Sequence, residues 1–144
     1  MTPEEIKFLG VWELQSFTTQ YDSEDIKHPL GKDALGILSY GADRYVHVTL
    51  QSKNFPNFQL DDRQLVSEKE KVSAFDNFYS YVGKWFLENG LIHHHIILSI
   101  MPNWINKTIV RTPIWISENT LNLNAEWSVN NKKRIANLVW NKIL

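Results

Sequence analysis

The sequence predicts an all-β fold: an antiparallel up-and-down β-barrel of about eight strands, with a short N-terminal helix and one internal helix. Three observations carry this. From Val11 onward the apolar residues recur mostly with a period of two. Turn signals separate short runs rich in β-branched and aromatic residues through the second half. There is no regular strand–helix alternation of the kind a parallel α/β fold requires. The 144 residues are read as one domain, 1–144. At 43% hydrophobic and 22% charged, the chain has enough apolar surface to offset its ordering entropy.

Thr2-Pro3-Glu4-Glu5 starts a helix. Thr2 can cap it, proline is tolerated in its first turn, and Glu5 stands where a capping box needs it. Gly10 ends it, so it can plug one end of a barrel but cannot form a core. In the first strand, Trp12, Leu14 and Ser16 alternate with Val11, Glu13, Gln15 and Phe17. Segment 20–35 is polar and reads as a long loop. Gly36 to Tyr40 and Arg44 to Leu50 form a hairpin around Gly41-Ala42-Asp43. Segment 51–66 is a loop.

Residues 67–78 form the internal helix, capped by Ser67. Val72, Phe75 and Phe78 or Tyr79 make a stripe that lies across a sheet or closes a barrel end. Strands follow at about 79–87, 91–101, 107–117, 120–127 and 134–142. Glu88-Asn89-Gly90, Pro102-Asn103, Ser117-Glu118-Asn119 and Ser128 to Lys132 separate them. Eight such strands close into a barrel whose interior holds packed side chains or one small ligand. Large groups on both faces of 107–117 favour a barrel over a sandwich with one wet face. Ile109, Arg111, Pro113 and Trp115 face one way, and Thr108, Val110, Thr112, Ile114 and Ile116 the other.

The charge balance excludes some functions. Fifteen Lys and Arg against 16 Asp and Glu give a net charge of -1, so no nucleic acid or anionic membrane partner is expected. Lys132-Lys133-Arg134 reads as a hairpin turn rather than a phosphate-binding patch. With no cysteine there are no disulfides, thiolate nucleophiles or zinc–cysteine sites. This composition and the acidic N-terminus, which lacks an apolar run, point to a cytoplasmic protein. No run reaches the ~18 apolar residues of a membrane span, so no membrane insertion is expected.

Gly10-Val11-Trp12 opens the first strand and Lys142 closes the last, two residues after Trp140. This is similar to the calycin pattern, in which a G-x-W meets a basic residue of the final strand. Further along come Pro29-Leu30-Gly31, Gly36 to Tyr40, and Phe75-Asp76-Asn77-Phe78. Tyr79 to Trp85, His94-His95, Pro102-Asn103-Trp104, Arg111 and Leu138-Val139-Trp140 follow. In order and spacing the chain resembles, over nearly its whole length, the bacterial and fungal lipocalin-like domain family. That resemblance implies a calycin-type β-barrel, and some members accompany natural-product biosynthetic genes. Here lysine stands at 142 in place of the usual arginine, His47 replaces a commonly small residue, and Asn106 stands where glycine often follows the Asn-Trp pair.

The resemblance makes His94 or His95 the site histidine. Alternation alone cannot choose between them, but His94 shares its face with Ile92, Ile96, Leu98 and Ile100 and is the sharper candidate. His93 and His95 share the other face. A metal there would need a third ligand such as His47 or Glu126, and none is expected. Arg111, among apolar strand residues, must pair with a carboxylate or meet an anionic or carbonyl-bearing ligand. Tyr81 and Trp85 flank Gly83, which leaves room for a ligand or a close backbone contact. Tyr40, Tyr45, His47, His95 and Trp127 join the candidate lining.

These residues describe an aromatic cavity with a few polar hooks. No serine triad, phosphate loop or dinucleotide fingerprint is present, so no cofactor is expected. The first reading is binding of a small hydrophobic or aromatic metabolite. An alternative is a cofactor-independent isomerase or cyclase acting on a polyketide-like or terpenoid intermediate, with His94 as acid/base, Arg111 as anion stabiliser and Tyr81 as proton donor. A packed interaction module is the third. Trp104, near a loop, suits a portal or a homodimer contact.

Overall fold

The computed structural model describes residues 1–144. A short helix α1 (Pro3–Ile6) precedes strands β1 (Gly10–Tyr21), β2 (Leu35–Tyr40) and β3 (Tyr45–Gln51). Helix α2 (Glu68–Asp76) leads into β4 (Phe78–Glu88), β5 (Leu91–Ser99), β6 (Thr108–Ser117), β7 (Thr120–Val129) and β8 (Lys132–Lys142). Every strand pairs antiparallel with the next, and β8 returns to β1, so the sheet closes into an eight-stranded barrel. Closure leaves no open sheet edge.

Turn chemistry makes this meander possible. Asn89-Gly90 and Asn130-Asn131 put two consecutive residues in the left-handed region, as a two-residue hairpin turn needs. Asn106 has φ 65, which accounts for an asparagine at a position that glycine could also fill. Gly10 has φ 123, and a Cβ there would fall on the Leu144 carbonyl. The glycine of the G-x-W thus lets the C-terminal end lie against β1, where Val11 N–H donates to the Leu144 carbonyl at 3.1 Å.

One barrel end is filled by aromatic rings. The Thr2–Glu5 capping box holds α1, and Glu5 reaches Arg44 at 2.8 and 3.1 Å. Arg44 in turn lies 5.0 Å over the Trp85 ring. Phe8, fully buried, contacts Tyr40, Trp85 and Trp115 at centroid distances of 5.7, 6.3 and 5.1 Å. Such pairs contribute about 0.5–1.5 kcal/mol each beyond their buried area. Trp12 Nε1–H donates to the Phe8 carbonyl at 2.9 Å, and Lys142 Nζ lies 5.2 Å over the Trp12 ring.

Of three register shifts in the barrel, two change the faces expected from sequence, while the third lies at the end of β6, between Trp115 and Ser117. In β1 the register shifts between Leu14 and Ser16, so Phe17 and Thr19 continue the inner face and Ser16 does not. In β5, Val82 pairs with Leu98 but Gly83 with Ile96, which leaves Ile97 as the extra residue. Leu98 (63% exposed) and Ile100 (39%) therefore lie outside the face that carries His94.

Helix α2 also differs from expectation. It ends at Asp76, and Phe78 and Tyr79 belong to β4. Val72 and Phe75 are 60% and 48% exposed, so the stripe does not seal the barrel. The segment is fastened through polar contacts instead: Gln59 N–H to Glu70, and Ser52 Oγ–H to Asn77.

Candidate ligand site

Beyond the aromatic plug, the barrel interior opens into a cavity of about 220 Å³. Its walls are mainly Leu38, Val48, Leu50, Leu123, Leu138 and Trp140. Phe17, Tyr79, Trp104 and Trp127 ring its mouth, Trp127 being 41% exposed. Tyr79 and Trp104 stack at 6.3 Å. No acidic side chain lines the cavity.

The polar floor is built by three neighbouring strands. Tyr81 on β4, His94 on β5 and Arg111 on β6 all face inward and line the cavity. His94, 1% exposed, is held between two tyrosines. Its Nδ1 lies 2.7 Å from the Tyr81 hydroxyl and its Nε2 lies 2.8 Å from the Tyr40 hydroxyl. Burial, with the nearby Arg111 charge and then His93, pushes the imidazole down to about 3. His94 is therefore neutral, with one nitrogen donating and the other accepting. Burial raises Tyr81 to about 12, and raises Tyr40 well above the usual phenol value.

Arg111 is half-buried and lines the cavity. Burial weakens its charged form, and the two tyrosine oxygens oppose that effect. Its one hydrogen bond is to the Val110 carbonyl at 3.4 Å. The three ion pairs of the chain, Arg44–Glu5, Lys132–Glu24 and Lys133–Glu126, lie elsewhere. A second guanidinium, Arg134, lines the cavity between Tyr21 and Trp127, at 4.7 and 5.4 Å from their rings. Its Nε is buried without a hydrogen-bond partner, as is Trp140 Nε1.

The residues expected from sequence thus separate into groups. His94, Arg111, Tyr81 and Trp127 come together at the cavity. Tyr40 lies one layer behind, bonded to His94. Trp85 does not line it: its ring packs in the plug and its Nε1–H donates to the Gly41 carbonyl. Tyr45 and His47 are exposed on the outer face of β3, because Val46, Val48 and Leu50 take the inner one. Lys84 lies over the Tyr45 ring at 3.5 Å. His95 also faces out, with Nδ1 3.1 Å from Thr108 Oγ1, and His93 stacks on Phe86 at 4.5 Å. No three His, Asp or Glu side chains converge as metal ligands.

Gly83 is explained by a backbone contact. A Cβ there would fall on the His95 carbonyl, across the β5 bulge. Most of the apolar wall is not singled out by the sequence reading, and two further lining residues have a specific reason for being missed. Phe17 was placed on the wrong face by the bulge, and Arg134 was absorbed into a basic turn. Arg134 does lie at the period-two spacing of Ala136, Leu138 and Trp140, which was the available signal.

A family model for the lipocalin-like domain matches residues 9–143. The chain belongs to the lipocalin-like domain family. A lipocalin-like protein from Bacteroides uniformis has a similar structure, with TM-score 0.50 and 11% identity over 95% of this chain and 99% of that one. A redesigned β-barrel matches with TM-score 0.48 and 12% identity, covering 100% of this chain and 98% of its own. A protein from Bacteroides eggerthii matches with TM-score 0.47 and 10% identity, covering 94% and 99% respectively. No curated protein matches the sequence significantly. In this lipocalin-like chain no helix is long and apolar enough to cross a membrane.

Proposed function

We propose that the protein binds a small hydrophobic or aromatic metabolite in the barrel cavity. The observation that carries this is the cavity itself: about 220 Å³, walled by aliphatic and aromatic side chains and floored by a few polar groups. A packed interaction module would fill that volume with side chains. The test is native mass spectrometry of the purified protein before and after denaturing extraction, with a titration of the neutral fluorescent probe N-phenylnaphthylamine. A co-purifying small mass, or saturable probe binding that a bulky Leu123→Trp variant blocks, is expected. An empty protein that takes up no probe overturns the reading.

The Tyr40–His94–Tyr81 chain favours a second reading, a cofactor-independent isomerase or cyclase acting on a polyketide-like or terpenoid intermediate. Proton transfer is most effective when the catalytic group titrates near the working pH. Tyr81 at about 12 and His94 at about 3 are both far from neutrality. Both ring nitrogens of His94 are also occupied by tyrosines. Tyr81 would be the group that meets substrate, with His94 positioning it. These features rank binding first. Turnover of such an intermediate that is lost in Tyr81→Phe would reverse the order.

A further inference from the structure

We propose that the cavity selects a small monocarboxylate, taken head-first, with its carboxylate on the Arg111 guanidinium and the Tyr81 hydroxyl and its apolar body toward the mouth. This rests on the small-molecule binding reading above and names the ligand class.

The first observation is a half-buried cavity charge without a counter-ion. Arg111 makes no ion pair, and its single hydrogen bond is long. A guanidinium drawn partly out of water gains from a partner, and its planar fork matches a carboxylate in two parallel hydrogen bonds. The second is the sign of the whole lining. No acidic side chain faces the cavity, while Arg134 Nε and Trp140 Nε1 are buried donors without acceptors. A ligand that supplies oxygen acceptors and negative charge complements this lining. A cationic one does not.

The third is the direction of the Tyr81 hydroxyl. Both tyrosine hydroxyls bond only to His94, but Tyr81 lines the cavity, where a ligand can take its proton, whereas Tyr40 does not and has no partner except Nε2. A buried hydroxyl that fails to donate is costly, so Tyr40 donates to Nε2. In a neutral imidazole the proton then sits on Nδ1, which donates to the Tyr81 oxygen. The Tyr81 hydrogen is consequently free to point at a ligand oxygen beside Arg111. His94 and Tyr40 are positioning residues for that donor.

The volume fits a small acid. About 220 Å³ is below the roughly 300–1,000 Å³ of pockets for drug-sized ligands. Leu38, Val48 and Leu123 offer an apolar wall, and Trp104 and Trp127 an aromatic rim.

The matched pair hydrocinnamic acid and methyl hydrocinnamate, titrated calorimetrically into the full chain at neutral pH, tests this. The acid is expected to bind at least about tenfold tighter than the ester, the effect of a charge-assisted hydrogen-bond pair. Arg111→Met should weaken acid binding by at least about tenfold and abolish the preference for acid over ester. Tyr81→Phe should lower the acid preference several-fold. An ester that binds as well as the acid, or an acid preference that survives Arg111→Met, overturns the carboxylate proposal and leaves cavity binding standing. If neither compound nor the neutral naphthylamine probe binds, the cavity-binding reading fails and this proposal with it. The acid-to-ester ratio in the unaltered protein decides the matter even if Arg111→Met does not fold.

Discussion

Tyr40 and His94 are joined by a buried hydrogen bond of 2.8 Å between the phenol oxygen and Nε2, and a phenol that donates there requires the imidazole proton on Nδ1. It also ties the plug to the cavity floor. The Tyr40 ring packs on Phe8 and Trp85 on one side, while its hydroxyl holds an imidazole that orients a cavity hydroxyl on the other.

The first prediction concerns that tautomer. Nitrogen NMR of selectively labelled protein should show His94 protonated at Nδ1 and unprotonated at Nε2 at neutral pH. Tyr40→Phe should leave Nε2 unsatisfied and destabilise the fold by about 1–3 kcal/mol in denaturant titration. A signal from the opposite tautomer would mean that the Tyr81 hydroxyl donates to Nδ1, which removes the geometric basis for Tyr81 as a cavity donor.

Acid stability gives the second. In the unfolded chain a histidine titrates near 6.5, whereas folded His94 titrates at about 3. Between those values the unfolded state holds a proton that the folded state lacks, so stability falls as pH drops from about 6.5 toward 3. At pH 5 the loss from this group is on the order of 2 kcal/mol. Glu5 contributes in a lower window. Its carboxyl is held down to about 2, first by the Arg44 hydrogen bond, so its share is present above about 4.5 and is lost as pH falls toward 2. Urea unfolding at pH 7.5 and pH 5 should show a clear drop for the unaltered protein and a smaller one for His94→Phe. Equal drops in the two proteins would show that His94 is not the buried neutral group.

The third prediction separates stability from binding at Arg111. Without a ligand its guanidinium is a half-buried charge with no ion pair, so Arg111→Met should raise the stability of the ligand-free protein by up to about 1 kcal/mol. Thermal unfolding of ligand-free samples measures it. A group kept at the expense of stability is what a recognition residue looks like. If the variant instead loses stability, Arg111 holds the fold and the case for a waiting ligand weakens.

These three residues also show how far the sequence could be read. Strand β6 alternates regularly from Thr108 to Trp115, so Arg111 could be placed on the face of Ile109, Pro113 and Trp115 from the sequence. Alternation leaves His94 and His95 both open, and the apolar company of Ile92 and Ile96 makes His94 the sharper candidate for the inner face, where it lies. The same reasoning failed for Phe17 and Leu98, because one extra residue in a strand reverses every later side chain and a bulge leaves little trace in composition. Tyr45 and His47 were misplaced for a different reason. They are aromatic and polar, as a site residue should be, but Val46, Val48 and Leu50 already claimed the inner face. The stripe on α2 was visible in sequence, yet amphipathic spacing does not say what a helix packs against, and Val72 and Phe75 stay exposed. Family resemblance carried the barrel and its order of strands. It could not carry the phase of each strand, on which the site depends.

The last prediction tests the β5 bulge, which brings the His94 face into register. Gly83 on β4 lies against the His95 carbonyl so closely that a Cβ has no room, and its pairing with Ile96 begins where the register shifts. Gly83→Ala must therefore push β4 and β5 apart or displace the bulge. Overpacking of this kind typically costs about 1–3 kcal/mol. Because His94 follows from the same register, the damage should extend beyond stability. The Tyr81–His94 bond should lengthen, and the nitrogen shifts of His94 should move toward an averaged tautomer. Denaturant titration and NMR on one sample check both effects. Gly83→Ala with unchanged stability and unchanged His94 shifts would mean that the strands absorb the added methyl without strain. The glycine would then not be what fixes the site.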